Sequence, residues 1–154
     1  MIKYIKNIMT QEEKFLLIKD LCGRLPYKVM VHIRYNTKEP CYGELTPKDI
    51  QWFIDSKIKE IKPYLRPMSS MTEEESNEFQ QLDTECDKMP TFEYVSIEHY
   101  RIFDWLNAHH FDYRGLIEKG LALEAPEEMY EEWISIRGNL KEDKEGNIVG
   151  GLKL

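Results

Sequence analysis

Long apolar runs are missing from this chain. No stretch approaches the ~20 consecutive apolar residues that a helix needs to cross a bilayer, so the sequence predicts no membrane span. Cysteine is scarce: Cys22, Cys41 and Cys86 are far apart, odd in number and never arranged as CxxC. That spacing argues against a zinc ribbon or a thioredoxin-like site and fits free thiols in a reducing compartment. GxSxG, HExxH, HxxxH and Gly-rich phosphate loops do not occur. Catalytic groups can still assemble from distant positions, so these absences leave an enzyme without a candidate reaction but do not exclude one. The opening MIKYIKNI has lysines but neither a continuous apolar core nor a small-residue cleavage site. It is not a signal peptide, and it reads as an arm or a short strand over residues 1–8.

What is present suits a folded protein. A length of 154 residues fits one domain, and the 42% apolar and 12% aromatic content argues against overall disorder. A domain of this size buries roughly 68–70% of its unfolded surface. Twenty-eight Asp and Glu against 21 Lys and Arg give a formal charge of −7. That sign works against general nucleic-acid or anionic-membrane binding and leaves room for a local basic patch or a basic protein partner.

Three helix starts carry capping signals. Thr10 with Glu13 and Thr72 with Glu75 read as capping boxes, in which hydroxyl and carboxylate satisfy free amides. Thr46 reads as an N-cap followed by Pro47 at the first helical position. Phe15, Leu17, Ile18, Leu21 and Cys22 predict the buried side of the first helix, with Gly23 ending it. Residues 27–35 alternate strictly: Tyr27, Val29, Val31, Ile33 and Tyr35 predict a core-facing set. Residues 58–65 read either as more of the second helix or as a strand, kept short or at an edge by Pro63. A further strand is expected over 92–97 and a helix over 97–109, anchored by Ile102, Phe103, Trp105 and Leu106. Short turns follow over 111–123, then a helix from Pro126 through Tyr130 and Trp133. Few strands and no regular βαβ series predict an α+β class: a short, mostly antiparallel sheet packed against several helices. The expected organisation is one domain over 1–137, then a flexible Gly- and charge-rich tail over 138–154 with a turn at residues 145–147.

The candidate chemistry gathers late in the chain. His109, His110 and Asp112 have the donors for a metal or a proton relay, but adjacent helical residues point about 100° apart. Neither a metal nor a cofactor is therefore expected. The competing reading has His109 facing the core and Asp112 capping the next turn. Tyr113, Arg114 and Gly115 suit contact with an anion, or an arginine stacked on a buried ring. Lys62 and Arg66, with Tyr64 in the Pro-framed loop 62–70, make the only basic–aromatic patch, or simply a rigid loop leading into a capped helix. Candidate ligand or partner contacts are thus Arg66, His109, His110, Asp112, Tyr113 and Arg114. Glutamates at 73, 74, 75 and 78, and again at 124, 127, 128, 131 and 132, imitate phosphate spacing or simply solvate helix faces.

Three stretches taken together carry a resemblance: TQEEK through LCGRLPY at 10–27, KPYLRPMSSMTEEE at 62–75, and DWLNAHHFDYRGLIEKGLALEAP at 104–126. The chain resembles a family of small uncharacterised proteins encoded by gut Bacteroidales, their prophages and their phages. Members begin near the position of Met9, whereas this chain has eight residues before it and a longer tail after Tyr130. The resemblance assigns no activity. It implies a setting, the cytoplasm of a bacterial host, and an accessory protein that binds a host protein, with an inhibitor of a host defence system as one form. A nucleotide sponge or other small-ligand binder is the alternative, and a metal- or nucleotide-dependent enzyme the next.

Overall fold

The computed structural model describes residues 8–36, 38–87, 92–131, 141–142 and 148–149. The chain divides into two compact units, Met1–Glu124 and Ala125–Leu154. Among the described residues the architecture is α+β, with four helices and a four-stranded, mostly antiparallel sheet.

Both expected capping boxes form, and the expected N-cap Thr46 proves to belong to a third. Thr10 introduces α1 (Gln11–Arg24), its hydroxyl accepting from the Glu13 amide while Glu13 accepts from the Thr10 amide. Thr46 and Asp49 do the same for α2 (Pro47–Ile54), and Thr72 and Glu75 for α3 (Glu73–Asp87). The side of α1 that turns inward differs from the predicted one. Leu17, Asp20, Leu21 and Arg24 are buried, whereas Phe15 is 71% exposed and Cys22 is exposed. Counting only apolar residues rotated the predicted face, because the real one includes an ion pair. Gly23 does not end the helix either. It lies inside α1, where a β-carbon would come within 3.3 Å of Asn107 Nδ2, and it is Lys28 that takes the left-handed conformation.

The sheet begins with β1 (Met30–Tyr35) and β2 (Cys41–Glu44), followed after α2 by β3 (Ile58–Leu65). With β4 (Leu123–Glu124) the strand order is β2-β1-β3-β4; only the β3–β4 pairing is parallel. The alternation in residues 27–35 places Val29, Val31 and Ile33 in the core, while Tyr27 belongs to a 3₁₀ turn. Ile58 and Ile61 are three apart yet both buried. The register shift opposite Arg34 and Tyr35 makes this possible, since one extra residue in β3 restores the inward face.

Pro63 does not shorten β3 or push it to an edge. The Val29 carbonyl accepts from the Leu45 amide, so odd-numbered residues of β1 aim at β2 and even-numbered ones at β3. His32 and Lys62 are then a bonded pair, and Val31 and Pro63 a non-bonded one. The missing amide of Pro63 removes no bond to β1.

The core of the first unit joins α1, α2 and the sheet through Leu17, Leu21, Val29, Val31, Ile33, Ile50, Phe53, Ile61 and Leu65. Leu116, Leu121 and Ala122 complete it. Residues 92–97, expected as a strand, are instead the first turns of α4 (Phe92–Ala108). A second cluster forms where α3 meets α4: Ile102, Leu106 and Phe111 are buried, with Phe79, Leu82, Trp105 and Tyr113 packed against them. Phe103, expected as an anchor, is 45% exposed.

In the second unit the segment after Pro126 begins as a turn, the Met129 amide donating to the Pro126 carbonyl over 3.0 Å. Trp133 and the expected turn at residues 145–147 lie outside the described residues. Within the stretch read as a flexible tail, β5 (Lys141–Glu142) and β6 (Ile148–Val149) pair antiparallel.

Candidate functional site

The segment 109–114 turns sharply out of α4. His110 takes a left-handed conformation, with φ +61°, and the chain reverses to lie beside the end of β3. The Arg66 amide donates to the His110 carbonyl, and the Asp112 amide donates to the Arg66 carbonyl, each over 2.8 Å. These two bonds fix the backbone, and two side-chain knots then form around Phe111.

The first knot is centred on Arg66. Its two terminal nitrogens donate to the two Glu75 oxygens at 2.8 Å each, in the bidentate form that suits a guanidinium. Its flat face lies 4.3 Å from the centre of the Phe111 ring. His109 stacks on Trp105 with ring centres 4.0 Å apart, and His109 Nδ1 is 2.8 Å from the Trp105 carbonyl. Burial pushes the Glu75 carboxyl up. The bonds from Arg66 and the Thr72 amide, with the electrostatic influence of Arg66 and then His109, outweigh that and hold it below its ordinary value.

The second knot is centred on Asp20, which is fully buried. Arg24 Nε donates to it at 2.8 Å, Arg24 Nη2 at 3.1 Å and Arg114 Nε at 3.1 Å. Arg24, also fully buried, donates to the Phe111 carbonyl at 2.7 Å, which ties this knot to the first. Both guanidiniums sit over the Tyr113 ring, at 5.3 and 4.9 Å from its centre. The Tyr113 hydroxyl donates to Asn107 Oδ1 at 3.0 Å. Asp112 accepts from the Leu116 and Ile117 amides at 2.8 and 2.9 Å, capping the turn that carries the core residue Leu116.

The six residues singled out from sequence therefore meet around Phe111, but as parts of the fold's own bonding. Arg66 is taken by Glu75, Arg114 by Asp20, Asp112 by two backbone amides, and Tyr113 by Asn107. His110 is buried and His109 half-buried. Sequence reasoning missed Asp20, Arg24, Asn107 and the pairing partner of Arg66. The i,i+4 spacing of Asp20 and Arg24 was the available signal. Among the described residues no group of three His, Cys, Asp or Glu side chains could hold a metal ion.

No family model, no curated protein and no solved structure matches this chain. Helix α3 carries seven carboxylates, at 73, 74, 75, 78, 83, 85 and 87, and no Lys or Arg. A second acidic run without Lys or Arg, the five glutamates over 124–132, carries less charge than these seven. Beside α3 runs a groove of about 250 Å³ between that helix and α4, lined by Glu78, Gln81, Leu82, Glu85, Arg101 and Trp105. The Trp105 indole donates to Glu78 at 3.2 Å, and Arg101 stands 3.6 Å from Glu85 with both side chains about half exposed.

Elsewhere, exposed Phe15 borders a second groove on α1 with Gln11, Glu12, Leu16 and Lys19. Tyr42 on β2 is 65% exposed and meets Tyr64 edge to face. The exposed thiol of Cys41 lies 3.8 Å from the Tyr35 hydroxyl. Burial, and then the contact with Cys41, push that phenol above its ordinary value. Among the described residues no helix is long and apolar enough to cross a membrane.

Proposed function

We propose that the protein works by binding another protein rather than by catalysis, and that the partner is positively charged. The observation that carries this reading is the run of seven carboxylates on α3 with no Lys or Arg among them. A charge spread evenly serves solubility alone; a charge gathered on one helix gives a directional field that steers an oppositely charged partner. In the bacterial, phage-associated setting that the resemblance implies, the partner is a host protein, and inhibition of a defence system is one form of the activity. The small-ligand reading is less well supported, because the cations it relies on are engaged with Glu75 and Asp20.

The test is affinity capture from host lysate with the wild-type chain and with a Glu73→Lys, Glu74→Lys, Asp83→Lys variant. These three carboxylates are exposed and lie outside the groove lining. One partner enriched by the wild type, released by rising salt and lost with the folded variant is the expected result. Equal recovery by both proteins, or no enrichment, overturns the reading.

A further inference from the structure

Resting on the reading just given, we infer that the α3–α4 groove is the docking site for an extended basic segment of the partner, with two cationic side chains three residues apart. The charge alone would not locate a site on α3; the groove does. It combines a half-buried indole with two carboxylates on one wall, Glu78 and Glu85. They are seven residues apart, which on a helix rising 1.5 Å per residue separates them by about 10.5 Å along the groove. A polyproline-type extended segment has three residues per turn and a rise of about 3.1 Å, so residues i and i+3 lie on one side about 9.3 Å apart. Two cations at that spacing match the two carboxylates.

The groove already holds one guanidinium loosely. Arg101 approaches Glu85 at 3.6 Å while both side chains stay about half exposed. An exposed pair of that kind contributes little, so an incoming arginine that forks onto Glu85 competes with it for that carboxylate. Leu82 and Trp105 offer apolar surface to the stems of long cationic side chains. Glu78 accepts from the Trp105 indole at 3.2 Å and Glu85 from Gln81 at 3.4 Å, longer contacts than the two 2.8 Å bonds by which Arg66 holds Glu75 out of the site.

The experiment is an NMR titration of the full chain at low salt with three blocked hexapeptides: GRGGRG, its spacing isomer GRRGGG, and GEGGEG. Saturable shifts at Gln81, Leu82 and Trp105 with GRGGRG, at least threefold tighter than with GRRGGG and absent with GEGGEG, are expected. The Glu78→Gln, Glu85→Gln variant is expected to bind at least tenfold more weakly. A Glu12→Gln, Glu44→Gln variant carries the same change of charge on α1 and β2 and is expected to bind as the wild type does. Gln81→Arg, which places a guanidinium in the groove from within, is expected to block binding while leaving the helical spectrum unchanged. Equal affinity for the two arginine isomers, equal loss in both charge variants, or no saturable shift overturns the inference. If that happens while the α3 lysine variant still loses its partner, the binding function stands and the docking site lies elsewhere.

Discussion

Asp20→Asn is the most discriminating test of how this fold is held together. The substitution keeps side-chain volume, so it opens no cavity, and it removes one charge. Asp20 is reached by three nitrogens at 2.8–3.1 Å, two from Arg24 and one from Arg114. Without the carboxylate, Arg24 stays fully buried with the Phe111 carbonyl and the Tyr113 ring as its remaining partners on these contacts. Leaving a buried charge uncompensated costs about 3–5 kcal/mol, a large part of the roughly 5–15 kcal/mol that stabilises a domain.

Urea unfolding followed by circular dichroism at pH 7 reads this directly. With m of about 2 kcal/mol per molar, the midpoint falls by about 1.5–2.5 M. Arg24→Met is expected to cost less, since Asp20 keeps Arg114. Arg114→Gln is expected to cost least, about 1 kcal/mol, because its side chain is 23% exposed. A double variant, Asp20→Leu with Arg24→Met, removes both buried charges and recovers most of the loss. The reasoning fails if Asp20→Asn is no more damaging than Arg114→Gln, or if the double variant is as unstable as Asp20→Asn alone.

The Glu75 carboxyl titrates below its ordinary value in the folded chain, so its stabilisation is full above the unfolded value and is lost as pH falls through the folded one. Glu75→Gln should flatten the decline of stability with acid in melts taken from pH 6 to pH 3; an unchanged slope contradicts the Arg66–Glu75 pairing. Asp112→Ala, which uncaps the Leu116 and Ile117 amides, should cost roughly 1 kcal/mol with Asp112→Asn milder, both read by urea midpoint. Trp105→Ala should cost about 2–3 kcal/mol, below the 3–5 kcal/mol of a fully buried ring, because the indole is half-buried. A thermal melt showing a core-sized loss would mean that the ring is more enclosed than its exposure indicates.

Local chemistry was legible in the sequence wherever one residue's partner is its near neighbour. Thr10 with Glu13 and Thr72 with Glu75 act over three residues, and the alternation through Val29, Val31 and Ile33 is fixed by the period of a strand. What escaped depends on partners far along the chain. Arg24 is buried because the Phe111 carbonyl, 87 residues away, waits for it, and no helical periodicity of apolar residues reveals that. Residues 92–97 contain the aromatic and β-branched types common in strands, yet their backbone extends α4. For the candidate contacts, sequence pointed to the right neighbourhood but not to its chemistry. Arg66 and Arg114 looked available until the positions of Glu75 and Asp20 were known.

The parallel pairing of β3 with β4 also sets an order in time. Strands β1, β2 and β3 lie within residues 30–65 and close through short connections, whereas β4 begins at residue 123. During synthesis the three-stranded part is complete before the chain that covers its far edge exists. At about 5–20 residues per second, Leu65 waits roughly 3–12 s for Leu123 to be made. Leu116, Leu121 and Ala122 reach the core in the same late step. Until then β3 presents one bare edge and part of an apolar face to the cell, and Pro63, whose missing amide points to that edge, is the residue that blunts it.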